Sequence, residues 1–378
     1  MRIAVVRRKY SLSGGGAERY CVGLVRQFQA LGQQVTVVGE TIDERLRDEV
    51  EFVPVRVNHA TSWTKNLSFA AGAAAALARG RFDVSLGLSH TAAVDVFRVT
   101  DRLQAHWLGV YYRHPLNRFV QRLNPRHRAV LALERSIYRS SSVRRVITES
   151  RLDQRLLAQY YGVPAEKVRT VYDGVDTNLF HPGVRQHGPA LRAELGLGNE
   201  PLLVFASMDF EGKGLGPLLE AVAGLEARAT RLVVVGRGRQ GRFARRARQL
   251  GIADRVLFTG RRGDIERFFG AGDLLVLPTL YEPFGLVHLE ALACGLPVIT
   301  TATAGAADII DVGHNGYVIP HAFAVAQLRE TIDQHLGLSP EVREAMSRCC
   351  WETAREMTLE RNARQTLDVL EEAVREKS

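Results

Sequence analysis

Cysteine is scarce in this chain: four in 378 residues, at Cys21, Cys294, Cys349 and Cys350. None forms a C-x-x-C pair, and no Cys/His cluster has zinc spacing. That excludes a disulfide framework and leaves reduced thiols of the cytosolic kind, most of them packing a core. Long hydrophobic runs are missing too. The apolar run near the N-terminus, Ile3 to Val6, is far too short for a signal peptide. The longest run elsewhere, FAAGAAAALA at 69–78, is half a membrane span and rich in alanine rather than leucine. No segment is therefore expected to cross a bilayer. Acidic side chains are outnumbered, 41 Asp plus Glu against 50 Lys plus Arg, giving a formal charge of +9. Such an excess points to an anionic partner: nucleic acid, a phosphorylated small molecule or an anionic membrane surface.

What is present is a soluble, globular pattern, with 46% hydrophobic and 24% charged residues. The length suits two domains. Short β-branched runs alternate with helical patterns. RIAVVRR (2–8) reads as a buried strand, followed by a Gly-rich turn and a helix from about Glu18 to Leu31. Further strands are expected at 33–40, 51–57, 82–88, 94–100, 143–150 and 168–175. The stretch 178–201 holds three prolines and four glycines and reads as the domain boundary. A second series follows at 201–208, 231–236, 255–260, 273–279 and 296–301, and the tail from Ser339 onward is helical. The fold class is α/β: two doubly wound domains facing across a cleft, with ligands beyond the carboxyl ends of the strands.

Three glycine loops stand out. SLSGGGAERY (11–20) opens a helix, but Arg19 occupies the place of the third glycine in a dinucleotide fingerprint. A tight turn without a ligand would use the same glycines. GRGRQG (236–241) matches G-x-G-x-x-G after a strand, yet no acid is placed for a ribose, and it reads mainly as a turn. In SMDFEGKGLGPLLEA (207–221) Lys213 lies between glycines just before a helix, where an ammonium beside exposed N–H groups suits a diphosphate.

The densest chemistry is in YEPFGLVHLEALACGLPVI, 281–299. A helix beginning at Phe284-Gly285-Leu286 would offer free N–H groups and a positive dipole to an anion. Glu290, one turn in from Leu286, can reach a ribose diol, and Glu282 can point to the other side of the phosphates. Two arbitrary glutamates would more often be solvated surface acids. The pattern Glu, seven residues, Glu, with Phe-Gly inside and ACGLPVI after it, resembles the signature of retaining GT-B glycosyltransferases of family 4. The resemblance extends along nearly the whole chain, through GGGAER, DGVDTNLFHP, FEGKGL, VVGRGR and VLFTGRRGDIERFFGAGDLLVLPT.

That resemblance implies a division of labour. Residues 1–183 would form an acceptor-binding domain and 184–355 a nucleotide-sugar-binding domain, with a helix at about 356–378 returning to the first. Lys213 would neutralise the donor diphosphate, with Gly15 and Gly16 close to it. The backbone of Phe284, Gly285 and Leu286 would hold phosphate, Glu290 the ribose, Arg261 the base, and Glu282 the sugar hydroxyls. Many relatives carry an Arg before the Lys of FEGKGL. Here it is Gly212, so a second phosphate cation must come from elsewhere, with Arg237 and Arg19 as candidates. On the acceptor side Asp101, read as ending a strand, is the choice for the attacking hydroxyl, with His90 and His106 as rivals. No Asp-x-Asp occurs, so no metal or other cofactor is expected.

Finally, residues 102–145 carry ten arginines and one acid, Glu134, with Trp107, Tyr111, Tyr112 and Phe119 interleaved. That composition fits an interfacial segment on an anionic membrane. A solvated basic face is the plainer alternative, and nucleic acid is not expected because no RNA-binding fold accompanies it. The region resembles that of lipopolysaccharide core glucosyltransferases. The implied activity is transfer of glucose or a similar sugar from UDP to a lipid-linked glycan, by a cytoplasmic protein peripheral to the inner face of the membrane. A GDP- or ADP-sugar donor, a soluble acceptor, and a non-catalytic binder of nucleotide sugars or nucleic acid remain alternatives.

Overall fold

The structure, a computed structural model, describes residues 1–12 and 15–377. Ser13 and Gly14 of the first glycine loop lie outside the described residues. The chain divides into two compact units, Met1–Asp173 with Leu359–Ser378, and Gly174–Thr358.

Unit 1 is built on a seven-stranded parallel sheet. Its order is Glu51–Pro54, Gln34–Gly39, Arg2–Val6, Val84–Gly87, Val96–Arg98, Arg145–Thr148, Val168–Thr170. The first strand therefore lies in the interior, and the order reverses between it and Val84–Gly87. Four of its five residues are fully buried, as expected of a strand covered on both faces. The helix after it runs Gly16–Ala30, starting two residues before the expected position. The Ala-rich run forms the second half of the helix Ser62–Arg79, in which only Phe69 and Ala73 are buried. Among the described residues no helix is long and apolar enough to cross a membrane.

Unit 2 repeats the plan with six parallel strands. The order is Val256–Gly260, Arg231–Gly236, Leu202–Ser207, Leu274–Val276, Val298–Thr301, Gly316–Ile319. Here the reversal falls between Leu202–Ser207 and Leu274–Val276. Loops leaving the carboxyl ends of those two strands must meet, and such switch points are where open α/β sheets bind ligands.

The structure shifts the expected boundary between domains. The 178–201 stretch is not a linker. It folds into the turn Pro182–His187 and the helix Gly188–Glu194, both belonging to unit 2. Arg192 pins that helix, pairing with Asp273 at 2.9 Å and donating to the Ala271 carbonyl at 3.0 Å. The prolines start these turns instead of marking a loose tether. The change of unit comes ten residues earlier than the expected 183, and the return comes at Leu359. The final helix, Leu359–Arg375, joins unit 1 through Asn362, which accepts from the Tyr20 hydroxyl at 2.8 Å and donates to the Tyr172 carbonyl at 2.6 Å.

Candidate active site

In unit 2 two loops cross at the switch point. The first follows Leu202–Ser207 and carries Lys213. It is stitched to the second by Leu280 N–H and the Thr279 hydroxyl, which both donate to the Gly212 carbonyl, at 2.9 and 3.1 Å. Gly214 allows the approach: a Cβ there would lie 2.0 Å from the Pro278 carbonyl oxygen. The second loop follows Leu274–Val276 and carries Glu282. Its backbone is held by Glu282 N–H to the Thr303 carbonyl (3.2 Å), and by Gly305 and Ala306 N–H to the carbonyls of Glu282 and Phe284 (2.9 and 3.0 Å). Tyr281 and Phe284 are fully buried beneath it.

This framework brings Lys213 Nζ to 3.1 Å from Glu282 Oε2. The lysine is only 8% exposed. A buried ammonium must be compensated, and the half-buried Glu282 carboxylate does so. The helix after the loop runs Leu286–Ala293, one residue short of the expected end. Gly285 caps it at φ +94°, a conformation side chains resist. Glu290, one turn in, is buried.

His288 sits in the first turn of the same helix and is fully buried. Its Nδ1 lies 2.9 Å from the Gly285 carbonyl. A carbonyl can only accept, so Nδ1 carries the proton and Nε2 is a lone-pair acceptor. Burial, helped by the charge of Lys213, lowers its pKa to about 4, so the ring is neutral at physiological pH. Nothing in the sequence singled out His288: one histidine in an apolar helix gives no periodic signal.

The other expected unit 2 residues are more dispersed. Arg261 follows the edge strand Val256–Gly260 and is exposed, while its neighbour Arg262 pairs with Asp264 and Glu194. Arg237 and Arg239 are exposed after Arg231–Gly236. The fingerprint glycines there have steric reasons of their own. A Cβ at Gly236 would lie 1.8 Å from the Ser207 carbonyl oxygen, and one at Gly238 2.3 Å from the Phe210 ring. Among the described residues no group of His, Cys, Asp or Glu gathers as metal ligands.

In unit 1 the first glycine loop and His90 flank the sheet's own switch point. Gly15 N–H donates to Glu18 Oε2 at 2.9 Å, so this backbone donor is already engaged within the loop. Gly16 is the first residue of the helix. Arg7 ties the two sides, pairing with Glu18 at 3.1 Å and donating to the Leu88 carbonyl at 2.7 Å. His90 is half-buried against Phe97. Asp101 does not end a strand. The strand stops at Arg98, whose side chain turns inward to Asp173 at 2.7 Å, and Asp101 stands exposed in a bend three residues later. His106 is within 3.2 Å of the Tyr160 hydroxyl, and burial lowers its pKa.

The Arg-rich stretch folds as three helices, Gln104–Tyr111, Pro115–Leu123 and Pro125–Arg139. Its single acid has a structural use. Buried Glu134 accepts from Gln104 N–H at 2.6 Å, holding the start of the first helix, and also from the Tyr161 hydroxyl. The middle helix has no buried residue. Leu116, Phe119, Val120 and Leu123, spaced to share one face, are 52–66% exposed.

Comparison with known proteins bears on the same regions. Residues 14–179 match the family described as Glycosyltransferase Family 4, and residues 189–349 match Glycosyl transferases group 1. The crystal structure of WaaG, a glycosyltransferase involved in lipopolysaccharide biosynthesis, superposes with a TM-score of 0.83 at 26% identity, covering 97% of this chain and 99% of that one. The chain is a GT-B glycosyltransferase. This enzyme is similar in sequence to the lipopolysaccharide glucosyltransferase WaaG of Escherichia coli K12, at 26% identity over 86% of this chain and 87% of the relative. It is also similar to a D-inositol 3-phosphate glycosyltransferase of Saccharomonospora viridis, at 32% identity over 61% of this chain and 56% of that relative. Anabaena HepE, solved with UDP and glucose, shares the fold at TM-score 0.74 and 20% identity, with coverage of 98% and 99%. The GT-B fold and the family read from the Glu pair and FEGKGL are thereby established for this glycosyltransferase.

Proposed function

We propose that this glycosyltransferase is a retaining hexosyltransferase that moves glucose or a similar sugar from UDP to a lipid-linked glycan such as a lipopolysaccharide core. The observation that carries the donor half is the Lys213–Glu282 pair, held at 3.1 Å where two loops cross at the carboxyl end of the unit 2 sheet. As donor enters, the diphosphate takes Lys213 and frees Glu282 for the sugar hydroxyls. Charge developing on the leaving phosphate is then met by the ammonium and by the N–H groups opening Leu286–Ala293, fixed before the reaction begins. Those groups supply the electrostatic work that a cation would otherwise do, so the reaction needs no metal. Glu290 takes the ribose, Arg261 the base, and Asp101, His90 or His106 of unit 1 the acceptor.

The exposed apolar face of Pro115–Leu123 supports the lipid-linked acceptor. Arg118 and Arg122 alternate with it on the same helix. An apolar stripe flanked by guanidinium groups fits the surface of an anionic bilayer, which supports the reading of a peripheral enzyme at the cytoplasmic face of the membrane. A second reading, a soluble phosphorylated acceptor, is favoured by the D-inositol 3-phosphate glycosyltransferase relative.

The test is transfer of labelled sugar from UDP-glucose, GDP-mannose or ADP-heptose to lipid-linked and to soluble acceptors, with the anomeric configuration of the product read by NMR. Retained configuration from a UDP-sugar onto the lipid-linked glycan is expected. Inverted configuration would contradict the mechanism, and transfer only to a soluble acceptor would replace the first reading by the second.

A further inference from the structure

His288 has two nitrogens and only one of them is used. Nδ1–H clamps the Gly285 carbonyl, which also accepts the His288 backbone N–H at 3.0 Å. Nε2 has no hydrogen-bond partner although the side chain is wholly inaccessible. A leucine would fill this position in an apolar helix without leaving a polar atom unmet, so a buried orphan nitrogen calls for a use. The surroundings supply one. A Cβ built on Gly285 would meet both His288 Nδ1, at 2.8 Å, and Glu282 Cγ, at 3.3 Å, so the ring and the base of the Glu282 side chain both border Gly285. Lys213 and Glu282 are the charged groups acting on it.

We propose that His288 is a positioning residue for Lys213: its Nε2 lone pair takes a hydrogen bond from the ammonium when a nucleoside diphosphate draws Lys213 away from Glu282. The inference rests on the reading that Lys213 holds the donor diphosphate. An ammonium has three donors and Glu282 meets one of them at 3.1 Å. A second carboxylate there would cancel the positive charge the phosphates need. A neutral imidazole anchors the ammonium without cancelling it. The Nδ1–H bond fixes both the tautomer and the ring plane, so the acceptor stays ready.

Three substitutions separate this role from simple packing. His288→Leu keeps bulk and loses both nitrogens. His288→Asn can replace Nδ1 but cannot reach the position of Nε2. His288→Gln can place an acceptor near Nε2. Binding of UDP, GDP and ADP would be measured by calorimetry, and kcat and KM with the matching nucleotide sugar. Leu and Asn should weaken binding of the preferred diphosphate roughly tenfold, the weight of one hydrogen bond to a charged group, and lower kcat at saturating donor. Gln should restore most of both. Wild-type affinity and kcat in His288→Leu would overturn the proposal. So would Asn matching Gln, because only the Gly285 contact would then matter. Lys213→Ala tells the two possible failures apart. If it binds the diphosphate like wild type, the donor reading itself has failed. If it loses binding while His288→Leu does not, only the role of His288 has.

Discussion

Two regions of this chain were conspicuous in sequence, and they are built in opposite ways. The crossing loops of unit 2 are fixed many times over. The Thr279 hydroxyl, backbone N–H groups of Leu280, Gly305 and Ala306, a left-handed glycine and two buried aromatics hold one ion pair in place. The helix Pro115–Leu123 of unit 1 buries nothing, and its four apolar side chains lie open. A fixed polar site suits chemistry on a small charged ligand, because the donors need not reorganise as charge develops. An unburied apolar stripe suits a partner with no fixed shape. The comparison teaches that conspicuous residues serve function either by being held or by being left unheld, and burial tells the two apart.

The sharpest break in that comparison is at the ion pair. Lys213→Ala should lower turnover on the order of 10²–10³-fold, the loss typical of one preorganised charge-stabilising group. Glu282→Ala should cost at least as much, with melting temperature changed by only a few degrees. Steady-state kinetics beside a thermal melt checks both. Turnover near wild type in either variant would remove the pair from the mechanism. On the unheld side, changing Leu116, Phe119, Val120 and Leu123 together to Ser should reduce binding to anionic vesicles by at least about 100-fold, since full burial of one such side chain is worth about 1.5–3 kcal/mol and a helix lying in the interface realises part of that at each of the four. Stability should change little, because all four side chains are more than half exposed. Unchanged sedimentation with vesicles would return the stripe to plain solvent.

A smaller effect is expected from His288. Its folded pKa of about 4 lies below the ordinary histidine value of 6.5. The unfolded chain therefore binds the proton first, and the stabilisation is complete above pH 6.5 and lost as pH falls towards 4. Between pH 7 and 5 wild type should lose about 2 kcal/mol more stability than His288→Leu, as read from urea unfolding at each pH. Parallel curves would mean the ring is not buried as described. Gly285→Ala should cost roughly 1–2 kcal/mol for the left-handed cap alone, and would push a methyl group against His288, raising the donor KM. Least of all, Arg118→Gln should weaken binding to anionic vesicles by about 1 kcal/mol and leave neutral vesicles unaffected.

How much of this was legible in sequence follows the same physics. The interior strands were readable because burial on both faces forces β-branched runs, as in RIAVV and RLVVVG. The edge strand Gly316–Ile319 and the short pair Lys9–Tyr10 with Thr41–Ile42 lacked that pressure and were not anticipated. The domain boundary was misplaced because prolines and glycines mark tight turns as readily as tethers, and at 182–194 they mark turns. Glu282 and Lys213 were legible from a motif, but their mutual bond depends on strand order, which no local pattern encodes. Asp101 reads as a strand end in sequence because its run is β-like. The run is cut short at Arg98, which turns inward to an ion partner 75 residues away.

The central claim is that unit 2 holds a nucleotide-sugar donor through Lys213. It is tested most directly by thermal melts of wild type and Lys213→Ala with UDP-glucose, UDP-galactose, UDP-N-acetylglucosamine, GDP-mannose, ADP-heptose and NAD. A ligand bound only by the folded chain stabilises it by about 2.7 kcal/mol at one hundred times its dissociation constant. The account predicts a shift with UDP-sugars in wild type that is lost in Lys213→Ala. A shift with NAD alone, or a UDP-sugar shift that survives the loss of Lys213, would contradict it.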